Sequence, residues 1–157
     1  MIAVICLSQF YSWTSITGYS MVPTLENGDR LLVNTLLYRF GEKQRGDVVR
    51  VRVGSGHFAK RIQGLPGEEV IVCSDSSYRI YKKIPATLGD YDPLAGWGSC
   101  SEEETRITLG QDEYFVIGDN TVYSRDSRSF GPVEEKDILG RFEIFYWPPT
   151  KAFGRVR

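Results

Sequence analysis

The segment from residue 47 to residue 65 constrains the fold more than any other part of this sequence. Residues 47–53, DVVRVRV, alternate apolar and polar side chains from Val49 onward, which is the period of a β-strand. GSG at 54–56 then has the composition of a turn, and HFAKRIQGL at 57–65 that of a return strand. The segment therefore predicts a β-hairpin.

Further strand-like runs make the rest of the chain mostly β as well. The 16 glycines and seven prolines are spread between them, as expected for short strands joined by tight turns. The predicted strands are TSITGY (14–19), DRLLVN (29–34), EEVIVC (68–73), EYFVIGD (113–119) and GRFEIFYW (140–147). Helix is predicted for a turn or two in NTLLYRF (34–40) and for PVEEKDIL (132–139), which has a proline near its start.

Residues 74–105 interrupt this pattern. The segment is polar, rich in turn-forming residues and without a long apolar run, so we expect an inserted subdomain rather than core. The main β core is then discontinuous and consists of residues 8–73 and 106–150. Residues 151–157 form a C-terminal tail.

The composition excludes several classes of function. A chain of 157 residues, 41% of them hydrophobic, fits one folded domain with a real core. The net charge of −1 does not favour a nucleic-acid partner. Cys6, Cys73 and Cys100 lack metal-ligand spacing, and His57 is the only histidine, so a metal enzyme is not expected.

The first seven residues, MIAVICL, are apolar but much shorter than the roughly 20 residues of a membrane-spanning helix. They lack the basic start and the cleavage site of a signal peptide. FYSW follows at 10–13, and such aromatic residues favour a membrane–water interface. The segment fits either a buried first strand or the end of a membrane anchor.

Ser20, in TGYSMVPTL (17–25), is a candidate nucleophile. A serine hydroxyl needs a base at neutral pH, and His57 lies next to the predicted hairpin turn. The alternative base is a neutral lysine. Because a free lysine is neutral only about once in 2,500 molecules at pH 7, that lysine must be buried and away from carboxylates.

Lys60 fits this requirement best. It lies in the middle of a predicted strand with Phe58, Ala59 and Ile62, and no acidic residue follows before Glu68. The other lysines lie in polar, inserted or terminal segments: Lys43, Lys82, Lys83, Lys136 and Lys151. Taken alone, Lys60 also fits an outward-facing strand lysine and Ser20 an ordinary loop serine, so the hypothesis depends on the two together.

A third polar segment, GDNTVYSRDSRSFGPV, occupies residues 118–133 directly after an apolar run. Its charged residues could form a salt-bridged loop: Asp119, Arg125, Asp126 and Arg128. Ser124 or Ser127 could donate a hydrogen bond to a neutral amine. The same residues also fit a solvated surface loop.

Four segments together resemble the motif boxes of type I signal peptidases, in their order and character. They are YSMVPTL (19–25), RGDVV (45–49), KRIQGLPGE (60–68) and GDNTVYSRDSRSFGPV (118–133). Members of this family are membrane-bound Ser/Lys endopeptidases that remove signal peptides from exported proteins. The resemblance extends from about residue 8 to residue 149 and is weakest in the insertion.

Carried over residue by residue, the resemblance implies that Ser20 is the nucleophile and Lys60 the general base. It implies that the Ser124 hydroxyl orients the lysine. A supporting ion-pair network would consist of Arg61, Asp119, Asp126 and Arg128. The Ser20 backbone N–H would hold the oxyanion, and Gly18 stands where many members carry a second, hydroxyl donor.

The resemblance also implies the fold and the surroundings of the protein. The fold would be an antiparallel, barrel-like signal-peptidase β core with a small inserted subdomain, and no cofactor or metal would be needed. The partners would be the signal peptides of secreted preproteins and the membrane lipid surface. The catalytic domain would lie on the outer, periplasmic or extracytoplasmic, face of the cell membrane, with residues 1–7 as the remnant of an N-terminal anchor.

Substrate specificity should come from residues that flank Ser20 and Lys60. An extended signal peptide would present the residues one and three before the cut on the same side. We expect their pockets to be lined by Ile16, Met21, Phe58 and Ala59, and to favour alanine-sized residues. Because Ala59 is small, the pocket for the third residue should also admit valine or leucine.

Two groups of aromatic residues, one near each end of the chain, could form an apolar surface beside the active site. They are Phe10, Tyr11 and Trp13, and Phe145, Tyr146 and Trp147. A contiguous patch of this kind would mark a membrane contact.

Cys73 and Cys100 flank the predicted insertion. An outer-facing compartment permits a disulfide between them, and two unpaired thiols are the alternative.

Three rival functions share part of these features. A conjugation-type peptidase that processes pilin subunits would use the same chemistry. A LexA-like self-cleaving protein also carries a Ser/Lys pair. A non-catalytic β module would only bind extended peptides at a sheet edge.

Overall fold

The computed structural model describes residues 11–73, 77–81, 104–147 and 156. This part of the chain is mostly β, and every strand pair in it is antiparallel. The strands are β1 (Tyr11–Ser15), β2 (Arg30–Asn34), β3 (Val48–Val53), β4 (Gly56–Gly64), β5 (Glu69–Cys73), β6 (Tyr78–Tyr81), β7 (Glu104–Thr108), β8 (Glu113–Ile117), β9 (Val133–Glu134) and β10 (Ile138–Trp147). Two short helices are α1 (Leu36–Phe40) and α2 (Ser127–Phe130). The predicted mostly β, antiparallel class is confirmed.

Seven strands form the main sheet, in the order β1-β2-β10-β3-β4-β8-β9. The predicted hairpin lies at its centre, with Val48 opposite Arg61 at one end and Val53 opposite Gly56 at the turn. Strands β10 and β8 pair with the outer edges of this hairpin. The middle of β4 is therefore held on both sides.

The two faces of the main sheet carry separate hydrophobic clusters. Adjacent residues of β3 point to opposite faces, so that Val48 belongs to one cluster and Val49 to the other. The first cluster also contains Ile16, Met21, Leu25, Leu31, Val33 and Phe142. The segment around Ser20 is thus anchored to the first face, because its neighbour Met21 is buried there.

A second sheet of three strands has the order β6-β5-β7. It packs on the main sheet through a cluster that contains Val70, Leu109, Phe115 and Ile117. Strand β6 lies inside the predicted insertion of residues 74–105, whereas β5 and β7 lie at its two borders. The division into core and subdomain stays a prediction, because most of the insertion lies outside the described residues.

The predicted helix at residues 132–139 is wrong. Val133 and Glu134 form β9, with Val133 opposite Tyr114 of β8. A single 3-10 turn, Glu135–Asp137, follows before β10 begins. The side chain of Val133 is buried in the second cluster, so strand pairing and burial override the helical signal of the proline and the acidic residues.

Cys73, at the end of β5, is disulfide-bonded. The other cysteines of the chain, Cys6 and Cys100, lie outside the described residues. The Cys73–Cys100 bridge therefore stays a prediction.

Within the described residues, neither helix is long and apolar enough to cross a bilayer. The predicted anchor remnant, residues 1–7, lies outside the described part of the chain.

Candidate active site

Ser20 lies at the start of a tight turn and not at the end of a strand. Strand β1 ends at Ser15, earlier than predicted, because the backbone then bends through Gly18. The φ of Gly18 is 97°, in the left-handed region that favours glycine. Gly18 donates its N–H to Asn27 Oδ1 at 3.1 Å. This loop closure and the buried Met21 hold Ser20 from both sides.

Lys60 reaches Ser20 from the middle of β4. Only 1% of the residue is exposed, and its Nζ donates to Ser20 Oγ at 2.7 Å. A neutral amine at the same distance could instead accept the hydroxyl proton. The two residues that sequence reasoning paired are thus in direct contact.

Burial lowers the pKa of Lys60 to about 8 from its ordinary value of 10.5. The carboxylates of Asp126 and Asp119 oppose this shift, and the Arg128 guanidinium adds to it. At pH 7 a lysine with this pKa is neutral in about one molecule in ten, roughly 200 times more often than a free lysine. An amine with this pKa has the property that the base of a serine nucleophile requires.

Arg61 and Asp119 form a bidentate ion pair near this lysine. Arg61 Nε donates to Asp119 Oδ1 at 2.8 Å, and Nη2 donates to Oδ2 at 2.6 Å. Thr24, in the turn after Ser20, donates its hydroxyl to the same carboxylate. The Asp119 hydrogen bond raises the pKa of Arg61 above its ordinary value. This ion pair ties β4 to the turn that carries Ser20.

Asp126 and Arg128 form a second ion pair. Arg128 Nε and Nη2 donate to the two oxygens of Asp126, each at 2.8 Å. Asp126 is fully buried, and it also caps α2 by accepting from the Arg128 N–H at 3.3 Å. Burial alone would raise the pKa of Asp126, but the hydrogen bonds from Arg128 and from Gly118 N–H hold it below its ordinary value.

The Ser124 hydroxyl is buried next to these groups and has no hydrogen-bond partner among the described residues. It lies close enough to Asp126 to help lower the pKa of that carboxyl, but the geometry falls short of a hydrogen bond. The Ser124 hydroxyl therefore makes no hydrogen bond to Lys60. The predicted orienting role of Ser124 stays a prediction.

Gly118 allows two parts of the site to meet. A Cβ at this position would lie 2.5 Å from the Ser20 carbonyl oxygen and 2.6 Å from Ser124 Cβ. Only a residue without a side chain permits such an approach. The next residue but one, Asn120, donates its N–H to the same Ser20 carbonyl at 3.0 Å. Gly118 and Asn120 are therefore packed directly against Ser20.

A cleft of about 280 Å³ opens beside Ser20. All four residues predicted to line the substrate pocket border it, namely Ile16, Met21, Phe58 and Ala59. Sequence reasoning missed six other side chains that border the cleft: Thr14, Ser15, Thr17, Arg50, His57 and Phe142. A signal for two of them existed, because a hairpin with the turn at 54–56 places both Arg50 and His57 near Ala59.

The groups predicted to bind the oxyanion are the Ser20 N–H and Gly18. No hydrogen bond between described residues uses the Ser20 N–H. The Gly18 N–H is occupied by Asn27, and glycine offers no hydroxyl.

His57 lies on the rim of the cleft, where its Nδ1 is 3.2 Å from Arg50 Nη2. Among the described residues, no group of three or more His, Cys, Asp and Glu side chains has an arrangement that could hold a metal ion.

Comparisons with known proteins agree with the motifs. The family described as "Signal peptidase, peptidase S26" matches residues 1–147. Signal peptidase I V of Bacillus subtilis (strain 168) is 35% identical over 134 residues, which are 80% of this chain and 79% of that protein. Signal peptidase IB of Staphylococcus aureus (strain Mu50 / ATCC 700699) is 32% identical over 148 residues, 85% of this chain and 76% of that protein.

A solved structure is also similar. The crystal structure of a signal peptidase I from Enterococcus faecalis V583 aligns with a TM-score of 0.43 at 24% identity. The alignment covers 64% of this chain and 97% of that chain.

The lowered pKa of Lys60 predicts the pH dependence of any reaction in which this amine is the base. Because only the neutral amine accepts a proton, kcat/KM should rise about tenfold per pH unit below pH 8 and level off above it. Steady-state kinetics between pH 5.5 and 9.5 would measure this profile. A rate that falls as the pH rises through 8 would contradict the assignment.

Lys60 should also reduce the stability of the fold. Its folded pKa lies below the unfolded value, so the unfolded chain binds more protons between about pH 8 and 10.5, and stability rises with pH in that window. Below pH 8 the burial of protonated Lys60 lowers the free energy of unfolding by its full amount, at most about 3 kcal/mol. Lys60→Met, which keeps the length of the side chain, should therefore raise the free energy of unfolding at pH 7 by roughly 1–3 kcal/mol.

Urea denaturation of both proteins at pH 7 and pH 10 would test this. The difference in free energy of unfolding between Lys60→Met and the wild type should be smaller at pH 10 than at pH 7. A variant less stable than the wild type at pH 7 would contradict the expectation.

Gly118→Ala should disturb the position of Ser20. The added methyl group would collide with the Ser20 carbonyl and with Ser124, and a displacement near 1 Å lowers catalytic rates about 100-fold. The matched control is Gly110→Ala, whose Cβ would meet the flexible Glu113 side chain at 3.3 Å. Comparison of kcat/KM and melting temperature separates lost geometry from lost folding. Equal activity of the two variants would show that Gly118 does not position Ser20.

Proposed function

This chain belongs to the signal peptidase family S26, and we propose that Ser20 and Lys60 are its catalytic dyad. As a relative of several signal peptidases I, it is a serine endopeptidase that removes signal peptides from preproteins. The observation that carries the assignment of the dyad is the 2.7 Å contact between Ser20 Oγ and the buried amine of Lys60.

The reaction would begin when neutral Lys60 takes the proton of the Ser20 hydroxyl. The Ser20 oxygen attacks the carbonyl carbon of the scissile bond, and the Ser20 N–H donates to the oxyanion that forms. Protonated Lys60 then gives its proton to the leaving amine, which departs as the new N-terminus of the mature protein. The signal peptide remains bound to Ser20 as an ester.

Hydrolysis of this ester would use the same base. Lys60 removes a proton from water, the hydroxide attacks the ester carbonyl, and the Ser20 oxygen leaves and regains its proton from Lys60. The signal peptide departs with a free carboxylate. No group other than the lysine needs to exchange protons, which agrees with the position of His57 on the rim of the cleft.

The supporting residues would act through position rather than chemistry. The Arg61–Asp119 pair would hold β4 against the turn of Ser20, and the Asp126–Arg128 pair would hold the loop that carries Ser124. The buried Ser124 hydroxyl lacks another partner among the described residues. A small rotation could therefore let it hydrogen-bond Lys60 and orient the amine.

The cleft would bind the signal peptide in extended form. Ile16, Met21, Phe58 and Ala59 all border this cleft together with Ser20, which supports their assignment to the pockets for the residues one and three before the cut. Ile16 and Met21 are buried, so they form fixed walls that would favour small residues.

The catalytic domain would lie at the outer surface of the cell membrane. Exposed aromatic side chains near the cleft support this placement: Trp13 and Tyr19 are each 65% exposed, and Phe58 is 40% exposed. Tyr11 is only half-buried on β1. Phe10 and the side chains of Phe145, Tyr146 and Trp147 lie outside the described part of the structure, so the full predicted patch stays a proposal.

Replacement of either member of the dyad tests the proposed mechanism. Ser20→Ala and Lys60→Ala should each lower kcat for cleavage of a preprotein by at least about 1,000-fold, because nucleophile and base act as a unit. Cleavage would be measured by mass spectrometry with a preprotein that carries alanine one and three residues before the expected cut.

The matched control is Lys136→Ala, which removes an exposed lysine that is paired with Glu134 outside the cleft. It should cleave like the wild type, and all three variants should retain a cooperative unfolding transition. Wild-type turnover by Lys60→Ala would end the proposal.

A further inference from the structure

Phe142 is a buried aromatic residue at the bottom of the substrate cleft. Only 3% of the residue is exposed, and yet it borders the cleft that contains Ser20. Three members of the first hydrophobic cluster border this cleft, namely Ile16, Met21 and Phe142. Ile16 and Met21 belong to the segment around Ser20, whereas Phe142 belongs to β10 of the main sheet. Because the Ser20 segment packs on that sheet, the Phe142 ring forms the floor of the cleft.

This floor is backed by a close-packed interior. Val33 lies directly opposite Phe142 in the pairing of β10 with β2, and it is fully buried. Leu31 and Val48 belong to the same cluster and are buried as well. Protein interiors contain few voids, so the Phe142 ring has no space into which it could retreat when a larger side chain enters the cleft.

The substrate residue directly before the cut lies closest to this floor. Its carbonyl carbon is the atom that Ser20 would attack, so its side chain lies beside Met21, the chain neighbour of Ser20. Met21 and Phe142 belong to the same cluster, so a side chain that extends past Met21 meets the Phe142 ring. Ala59 also packs against this cluster, but its methyl group fills little of the space. The ring therefore sets the depth of the pocket.

Val156 holds β10 next to this floor. The pairing of β10 with β2 shifts its register between Phe142 and Ile144, and such a bulge leaves the extra residue, Glu143, without a ladder partner on β2. Val156 donates its N–H to the Glu143 carbonyl at 3.1 Å, and its side chain packs against the first cluster. Val156 thus fixes the bulge directly beside Phe142.

We propose that Phe142 sets the size limit for the substrate residue directly before the cut, and that Val156 is a positioning residue that holds Phe142 in place. This inference rests on the proposed function, because it uses the extended substrate and the attack by Ser20. A pocket that ends on a fixed ring accepts a methyl group and rejects longer side chains, since overfilling a close-packed site displaces its walls. Phe142 takes no part in the chemistry of Ser20 and Lys60.

Three peptides would test the inference. All carry alanine three residues before the cut, and they differ only in the residue directly before it, which is alanine, valine or leucine. In the wild type, kcat/KM for the alanine peptide should exceed that for the valine peptide by roughly 10- to 200-fold, and the leucine peptide should be cut more slowly still. The ratio of two kcat/KM values does not depend on the fraction of active enzyme, so partial unfolding of a variant leaves it unchanged.

Phe142→Ala should deepen the pocket and lower the alanine-to-valine ratio by about tenfold or more. Phe142→Leu should lower it by a smaller factor, and this milder change keeps the test available if Phe142→Ala does not fold. The matched control is Phe115→Ala, which removes the same side chain from a fully buried position in the third cluster, outside the cleft. This control should lower the melting temperature but keep the wild-type ratio.

A second set of variants tests Val156. Val156→Ala should lower the alanine-to-valine ratio by about twofold or more, because contacts between neighbouring side chains couple their positions. Val156→Ile keeps an apolar side chain on the cluster and should keep the wild-type ratio. The matched control is Val53→Ala, which shortens another half-buried valine that packs against the second cluster and should also leave the ratio unchanged.

An equal rate for the alanine and valine peptides in the wild type would overturn the inference. So would a ratio that stays unchanged in both Phe142 variants, or one that Phe115→Ala lowers as much as Phe142→Ala does. An unchanged ratio in Val156→Ala would overturn the role of Val156.

The alanine peptide separates these failures from failure of the proposed function. If the wild type cuts it and Ser20→Ala does not, the proposed function stands whatever the role of Phe142. If no peptide is cut in a way that depends on Ser20, the proposed function fails and the inference fails with it.

Discussion

The contact between a buried lysine amine and the Ser20 hydroxyl is the constraint on which the rest of the site depends. Burial favours the neutral amine, but the carboxylates of Asp119 and Asp126 act in the opposite direction on the pKa of Lys60. Each of these carboxylates is held by an arginine in a bidentate pair. The Arg128 guanidinium acts against the carboxylates, so the two ion pairs can fix the geometry while the pKa of Lys60 stays below its ordinary value.

A buried lysine without a carboxylate partner is unfavourable for folding, and the surrounding structure has to compensate for it. Strand β4 carries Lys60 between β3 and β8, which pair with it on both edges. Val49, opposite Lys60, and Ile62 are fully buried. The hydrophobic faces of the central hairpin therefore provide both the stability and the low-polarity surroundings that lower the pKa of Lys60.

Most strands and the contact between Ser20 and Lys60 could be predicted from the sequence because they depend on local pattern and simple chemistry. The alternation within residues 47–53 predicted the hairpin, and the need for a lysine among apolar neighbours predicted Lys60. The helix predicted at 132–139 failed because pairing of Val133 with Tyr114 is a long-range contact. Arg50 was missed although the predicted turn at 54–56 already placed it near Ala59. Its exact place depends on the hairpin register, since a shift of one residue would turn it to the other face.

The fourth motif segment, residues 118–133, is longer than the other three, and its residues 118–128 explain why. Its first part acts on the turn of Ser20, because Gly118 lets the Ser20 carbonyl approach and Asp119 binds Arg61. Its second part contacts the first, because the Asp126 carboxylate accepts a hydrogen bond from the Gly118 N–H at 3.0 Å. The loop is thereby closed on itself by a buried carboxylate, with Ser124 inside the closure. Ser20 and Lys60 come from segments 40 residues apart. This closed loop connects them, because Gly118 packs against Ser20 and Asp119 binds Arg61, the neighbour of Lys60.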